Sequence, residues 1–307
     1  MMITRFFVLS SCRPRRAAAA LLACGVLLLT ACGSTSDDST SETSAAPDPG
    51  TGHLHGLGVD PADGTVYAAG HMGVFRLTGT EAIRVADRYQ DTMGFTVSGP
   101  GTFLASGHPS LADRTATSPH LGLVRSTDAA KTWTTVSAAG EADFHSLQQA
   151  GQVLYGFDSQ TSKVWASSDQ GRTWDRRARL PIGDLAAHAS APQKVWATTA
   201  NGLVFSGDGG RTFRSVPGAP DLAAIERPAP DAWVALGSGG KVLGSRDGRA
   251  WAPRGSLPSG AKPSLLTAVS PMHLLAADVG DTVYESKDGG RSWNVLHRAD
   301  HESGDNH

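Results

Sequence analysis

Five short stretches recur along the chain at a nearly constant interval: "STDAAKTW" at Ser126, "SSDQGRTW" at Ser167, "SGDGGRTF" at Ser206, "SRDGRAW" at Ser245 and "SKDGGRSW" at Ser286. Their aspartates, Asp128, Asp169, Asp208, Asp247 and Asp288, are spaced by 41, 39, 39 and 41 residues. One unit of that length cannot bury its own apolar face, so units must stack on one another in an array or a ring. Each stretch follows a short apolar run ("GLVR", "KVWA" or "TVYE") and precedes another. That pattern reads as a β-hairpin with a tight turn. The Asp accepts backbone N–H groups within the turn, the Gly permits positive φ, and the closing Trp or Phe opens the return strand as an apolar plate.

Between the recurring turns, each period supplies further strand-like runs. One period reads "DLAAHAS", "QKVWATT", "GLVFSGD" and "RTFRSVP". Four strands per period make a propeller blade. The expected fold class is therefore all-β: a β-propeller of four-stranded blades, with six periods between His53 and Ala299. Seven blades is the alternative, if one more hides in the margins. The first period lacks the recurring turn, and the second carries an insertion at "HPSLADRTATSPH". The 36 glycines and 17 prolines suit a turn-rich chain. With 27 basic against 29 acidic residues and no basic block, a nucleic-acid partner is not expected.

The recurring turn resembles the Asp-box (BNR) repeat, S-x-D-x-G-x-T-W, of sialidase-type and glycosyl-hydrolase-like β-propellers. Two copies depart from it: Ala130 stands where Gly is usual, and the copy at Ser245 is one residue short. The resemblance implies structural Asp boxes at Asp128, Asp169, Asp208, Asp247 and Asp288, on the blade periphery and away from any sugar. It bears on fold, and fold does not give function. A sialidase should also carry an early F/Y-R-I-P motif, an arginine triad and a Tyr/Glu pair. No such motif occurs, and of the four tyrosines Tyr67, Tyr155 and Tyr284 lie in strand-like runs.

The N-terminus reads as an export signal. Arg13, Arg15 and Arg16 precede an apolar run from Ala17 to Leu29, too short for a comfortable membrane span. It ends in "LTAC", which resembles the lipobox of bacterial lipoproteins and implies lipid on Cys32. Residues 1–31 are then a signal peptide, exported by the Sec or the twin-arginine route. Residues 32–52 are the lipidated Cys and a disordered Ser/Thr/Asp/Pro-rich tether. Residues 53–299 are the propeller, and 300–307 a frayed tail. Cys12, Cys24 and Cys32 are the only cysteines, so the propeller has no disulfide and no thiolate ligand. Cleavage before Cys32 removes four arginines and no acid, leaving an acidic exported part. The expected location is the outer face of a bacterial cell membrane, held there through the lipid on Cys32.

The histidines are unevenly distributed. Aligned first strands place His55, Met93 and His145 in one column for blades one to three, and Leu185, Leu222 and Leu265 for blades four to six. The loop after the second strand adds His71 and Met72 in blade one, and His108 and His120 in blade two. The equivalent later loops, "TANG", "GSGG" and "DVGD", hold no histidine. In an up-and-down blade these positions share one face, opposite the recurring turns. His53, His55, His71, Met72, Met93, His108, His120 and His145 are thus the candidate metal ligands. Asp91 and Asp143 are candidate partners to them. Imidazole with thioether favours copper, and imidazole alone suits zinc.

Three functions remain open at this level. The first is a tethered binding propeller with a metal, foremost copper, on blades one to three. The second is a glycoside hydrolase, for which Asp91, Asp143, Asp184 and Asp221 near the first-strand starts supply candidate carboxylates. No catalytic residue is assigned. The third is a protein-interaction or assembly scaffold.

Overall fold

The computed structural model describes residues 48–299. The expected signal segment 1–31, Cys32, the expected tether as far as residue 47 and the tail 300–307 lie outside the described residues. Among those described, every regular element is a strand, and the strands form six four-stranded antiparallel sheets. Each sheet pairs its strands in chain order, so each is one propeller blade. The expected count of six holds.

The first strands are innermost: Leu54–Val59, Asp91–Gly99, Phe144–Ala150, Asp184–Ala186, Leu222–Ala229 and Pro263–Ala268. Each contacts the next around the ring, and the sixth contacts the first. Around them lie six apolar clusters, each seated between neighbouring blades. The one joining blades six and one buries Leu54, Leu57 and Ala68 with Leu275, Ala277 and Val283. Among the described residues no strand is exchanged between the first and last blades, and side-chain packing and a few polar contacts close the ring. Asp281 is the chief of these: its Oδ1 accepts from the Leu54 N–H at 2.9 Å and lies 2.9 Å from His53 Nδ1.

The five repeat turns all lie between third and fourth strands. Four of them follow one bonding plan, shown at Ser126–Thr132; in the shorter turn at Ser245, Asp247 accepts from the Arg249 and Ala250 N–H groups instead. Ser126 Oγ donates to Asp128 Oδ1 and accepts from the Ala130 N–H, while Asp128 takes both the N–H and the hydroxyl of Thr132. In these four turns the second residue after the Asp sits in the left-handed region, with φ of 83° at Gly171 and Gly210, 90° at Gly290 and 68° at Ala130. Ala130 adopts this conformation with its methyl buried in the apolar cluster that holds Tyr67, Val74 and Phe103.

The five residues before His53 contact the first blade. Asp48 pairs with the Arg84 guanidinium, Thr51 is buried, and the Thr51 carbonyl accepts from the Met72 N–H.

Candidate functional site

One end of the central channel is ringed by the second-to-third-strand loops, and the repeat turns lie at the other end of each sheet. The channel has a volume of about 450 Å³, and His55, His145, Ala223 and Ser264 line it.

Strand register explains why. The pairing of Leu54 with Gly70 and of Gly56 with Ala69 leaves His55 as an extra, bulged residue. The same bulge skips His145 in blade three, Ala223 in blade five and Ser264 in blade six. In blade two the slip spans Met93 and Gly94. A bulged residue is freed from the ladder and its side chain is re-aimed. This corrects the sequence alignment. Leu222 and Leu265 are not the counterparts of His55; Ala223 and Ser264 are. Blade four has no bulge, and counting from its hairpin puts Gly183 at that level rather than Leu185. The asymmetry survives the correction: His, Met and His on blades one to three face Gly, Ala and Ser on blades four to six.

The histidines form two groups joined by aspartates. In blade one, the two-residue turn after Gly70 carries His71, and the His71 N–H bonds the His53 carbonyl. The His55 ring lies 5.1 Å from that of His53 and 4.6 Å from that of His71. In blade two, Asp91 and His108 are cross-strand partners, and Asp91 Oδ2 lies 2.9 Å from His108 Nδ1. Gly107 makes this approach possible. At φ 140° it passes so close to Asp91 that a Cβ would fall 2.2 Å from the Asp91 carbonyl oxygen. The insertion after His108 then folds back. The Leu121 N–H bonds the Gly107 carbonyl, and His120 is brought to 5.5 Å from His108, ring to ring.

Asp143 anchors the blade-three side. Its N–H donates to Asp158, and its Oδ2 accepts from Ser159 Oγ at 2.8 Å and lies 2.9 Å from His145 Nε2. His108 Nε2 is 3.6 Å from the same oxygen. Burial alone would raise the Asp143 carboxyl; the bonds from His145 and Ser159 outweigh it and hold the group down at about 2. His55 is pushed down to about 3, first by burial and then by His71, His53 and His145 around it. A neutral imidazole is the form that ligates a metal.

Two triads have donor atoms that all lie within 4.8 Å of one another: His55, His71 and Asp91, and His108, His120 and Asp143. In these triads His55 Nε2, Asp91 Oδ1, His120 Nδ1 and Asp143 Oδ1 are buried without a hydrogen-bond partner. Unpartnered buried polar atoms are costly, and these four are free to bind a ligand or water. The site is still reachable, since His53, His108 and His145 keep 45%, 33% and 40% of their side-chain surface exposed.

Of the sequence candidates, five of the six histidines sit in or directly beside these triads through ring contacts or aspartate bonds, and His53 joins through His55 and Asp281. Met72 stands in the same turn as His71, its Cγ packed near Gly52, and Met93 is half-buried at its blade's register slip. Asp91 and Asp143 are more than partners: they belong to the donor sets themselves. Asp281, which holds His53, was missed, because its loop "DVGD" carries no histidine and its contact runs from the last blade to the first. The remaining candidate carboxylates are engaged elsewhere. Asp184 accepts from the Leu185 and Ile225 N–H groups, and Asp221 from Ser238. Burial raises Asp184 to about 6.

No family model matches the chain. A curated relative, a probable oligoxyloglucan-reducing end-specific xyloglucanase of Neosartorya fischeri, is 27% identical over 168 residues, which is 47% of this chain and 20% of the relative. The chain therefore spans about a fifth of the length of the curated relative it matches. Among solved structures, the GH74 xyloglucanase of Xanthomonas campestris is similar at TM-score 0.50 and 18% identity, over 80% of this chain and 45% of that one. The GH74 enzyme of Niastella koreensis is similar at 0.52 and 16%, over 80% and 45%. YCF48 bound to D1 peptide is similar at 0.50 and 13%, over 80% and 82%. At these identities the likeness is one of fold.

Proposed function

We propose that this chain is an exported, membrane-tethered β-propeller that binds a divalent transition metal on the histidine-rich rim of blades one to three. The observation that carries the reading is the pair of His₂Asp triads with four unpartnered buried donor atoms. Imidazole and carboxylate together suit divalent copper or zinc, and copper binds such nitrogen and oxygen donors more tightly. Three protein ligands leave a coordination position facing solvent, as in exchangeable or catalytic sites rather than closed structural ones. Capture or delivery of the ion outside the cell fits that openness. The tether and the lipid on Cys32 keep the propeller at the membrane surface.

The test is metal content. The full-length chain, purified in mild detergent without a polyhistidine tag, is dialysed against micromolar copper(II) or zinc(II), and bound metal is counted by mass spectrometry. Stoichiometric retention, lost when His55 and His120 are both replaced by Ala, supports the reading. No retained metal overturns it.

The xyloglucanase relative favours a second reading, carbohydrate hydrolysis on the same fold. Against it stands the use of Asp91 and Asp143 by histidines and of Asp184 and Asp221 by backbone and Ser238. Turnover of xyloglucan oligosaccharides by the metal-free chain would establish it.

A further inference from the structure

We infer that the rim holds two metal ions at once, one per triad, linked through the Asp91–His108 pair. The inference rests on the metal-binding reading above and goes beyond it in stoichiometry and in the role of each atom.

The donor atoms separate without conflict. Asp91 uses Oδ2 toward His108 Nδ1, which leaves its unpartnered Oδ1 for the first ion, beside His55 Nε2 and His71. Asp143 uses Oδ2 toward His145 and Ser159, which leaves its unpartnered Oδ1 for the second ion, beside His120 Nδ1. His108 donates from Nδ1 to Asp91, so its Nε2 is free to ligate the second ion, on the side where Asp143 lies. His55 Nε2, Asp91 Oδ1, His120 Nδ1 and Asp143 Oδ1 make no hydrogen bond within the protein, and His108 Nε2 makes only a loose 3.6 Å approach to Asp143 Oδ2.

The link has a chemical consequence. A carboxylate accepting the far N–H of a ligating imidazole fixes its tautomer and raises its basicity. Here that carboxylate is itself a ligand of the neighbouring ion. Once the first ion draws on Asp91, His108 becomes a poorer donor, and the two dications also repel. The two ions therefore bind in sequence, the second more weakly than the first. The two triads share no residue, and the Asp91–His108 bond commits one atom of each, so each triad offers its own set of free donors.

The experiment is calorimetric titration of the full-length, untagged chain in detergent with zinc(II), on the wild type and on His71→Ala, His120→Ala and the double variant. His71 is exposed in a hairpin turn and the His120 ring makes no hydrogen bond from Nδ1, so both variants should fold, which circular dichroism checks. Any zinc on the double variant, such as at the tail histidines, is the baseline. Two ions above baseline in the wild type, in two resolved steps, and one in each single variant is the expected result. One ion in the wild type, lost in both single variants, overturns the two-ion proposal while leaving the metal-binding reading intact. No ion above baseline in the wild type overturns both.

Discussion

Asp91 and His108 are cross-strand neighbours whose side chains meet at 2.9 Å, and this one contact joins the two halves of the rim. The pair forms because Gly107 lets the two backbones approach more closely than any other residue would allow.

Replacement of Asp91 by Ala should therefore weaken metal binding at both triads. The first loses a ligand oxygen, and the second loses the group that orients His108. Loss of such an orienting partner typically lowers affinity by about 10–100-fold. Competition against a chromogenic chelator measures this. An unchanged affinity at the His108 triad would show that the pair plays no part in binding.

The ring closure can be tested at Asp281. Replacing it with Ala leaves the buried Leu54 N–H without an acceptor and frees His53. The expected cost is about 1–3 kcal/mol, since a buried donor is left unsatisfied. Asp281→Asn keeps an oxygen for the Leu54 N–H and tolerates the φ of 57° at this position, so it should recover most of the stability. Urea denaturation distinguishes the two variants. Equal loss in both would point to the charge rather than the backbone bond.

The sequence made the fold legible and the site only partly so. Ser126, Ser167, Ser206, Ser245 and Ser286 mark their turns by composition alone, since the Ser–Asp turn is built within eight residues. Those five turns, with the strand-like runs of the first period, placed six blades. The lopsided distribution of His55, His71, His108, His120 and His145 was also visible. What alignment missed was the bulge, which shifts register by one residue without any residue type that signals it. Hence Leu222 and Leu265 stood where Ala223 and Ser264 belong. Asp281 was illegible for a different reason: its partners His53 and Leu54 are over two hundred residues away in sequence, and only ring closure joins them.

The repeat turns make an acid-stability prediction. Thr132 bonds to Asp128 through its hydroxyl and its N–H and holds the carboxyl down at about 2; Asp169, Asp208 and Asp288 are held lower still by the same pattern. A carboxyl depressed in the folded state stabilises fully above its unfolded value and progressively less as pH falls through the folded one. The melting temperature should hold steady from these groups between pH 7 and about 5 and fall below about pH 4. The double variant Asp169→Asn with Asp208→Asn should start lower at pH 7 and fall less steeply. Parallel curves for variant and wild type would contradict this origin.

Gly290 and Ala130 occupy the same place in different repeat turns, yet exchanging Gly and Ala should matter at the first and not at the second. A Cβ on Gly290 would fall 2.5 Å from Val242 Cγ1, at φ of 90°. Gly290→Ala should destabilise by about 2–4 kcal/mol through overpacking and backbone strain. Ala130→Gly trades a buried methyl for relief of strain and should stay within about 1 kcal/mol of wild type. Chemical denaturation of both variants tests the comparison.

The most direct test of the central claim is anomalous diffraction from crystals of this chain grown with zinc(II) and, separately, copper(II). The account predicts anomalous peaks at the rim, within about 2.0–2.2 Å of imidazole nitrogen and carboxylate oxygen, in the His55–His71–Asp91 and His108–His120–Asp143 triads. Peaks confined to other histidines, such as the His273–Glu285 pair, or a rim without any peak, would contradict it.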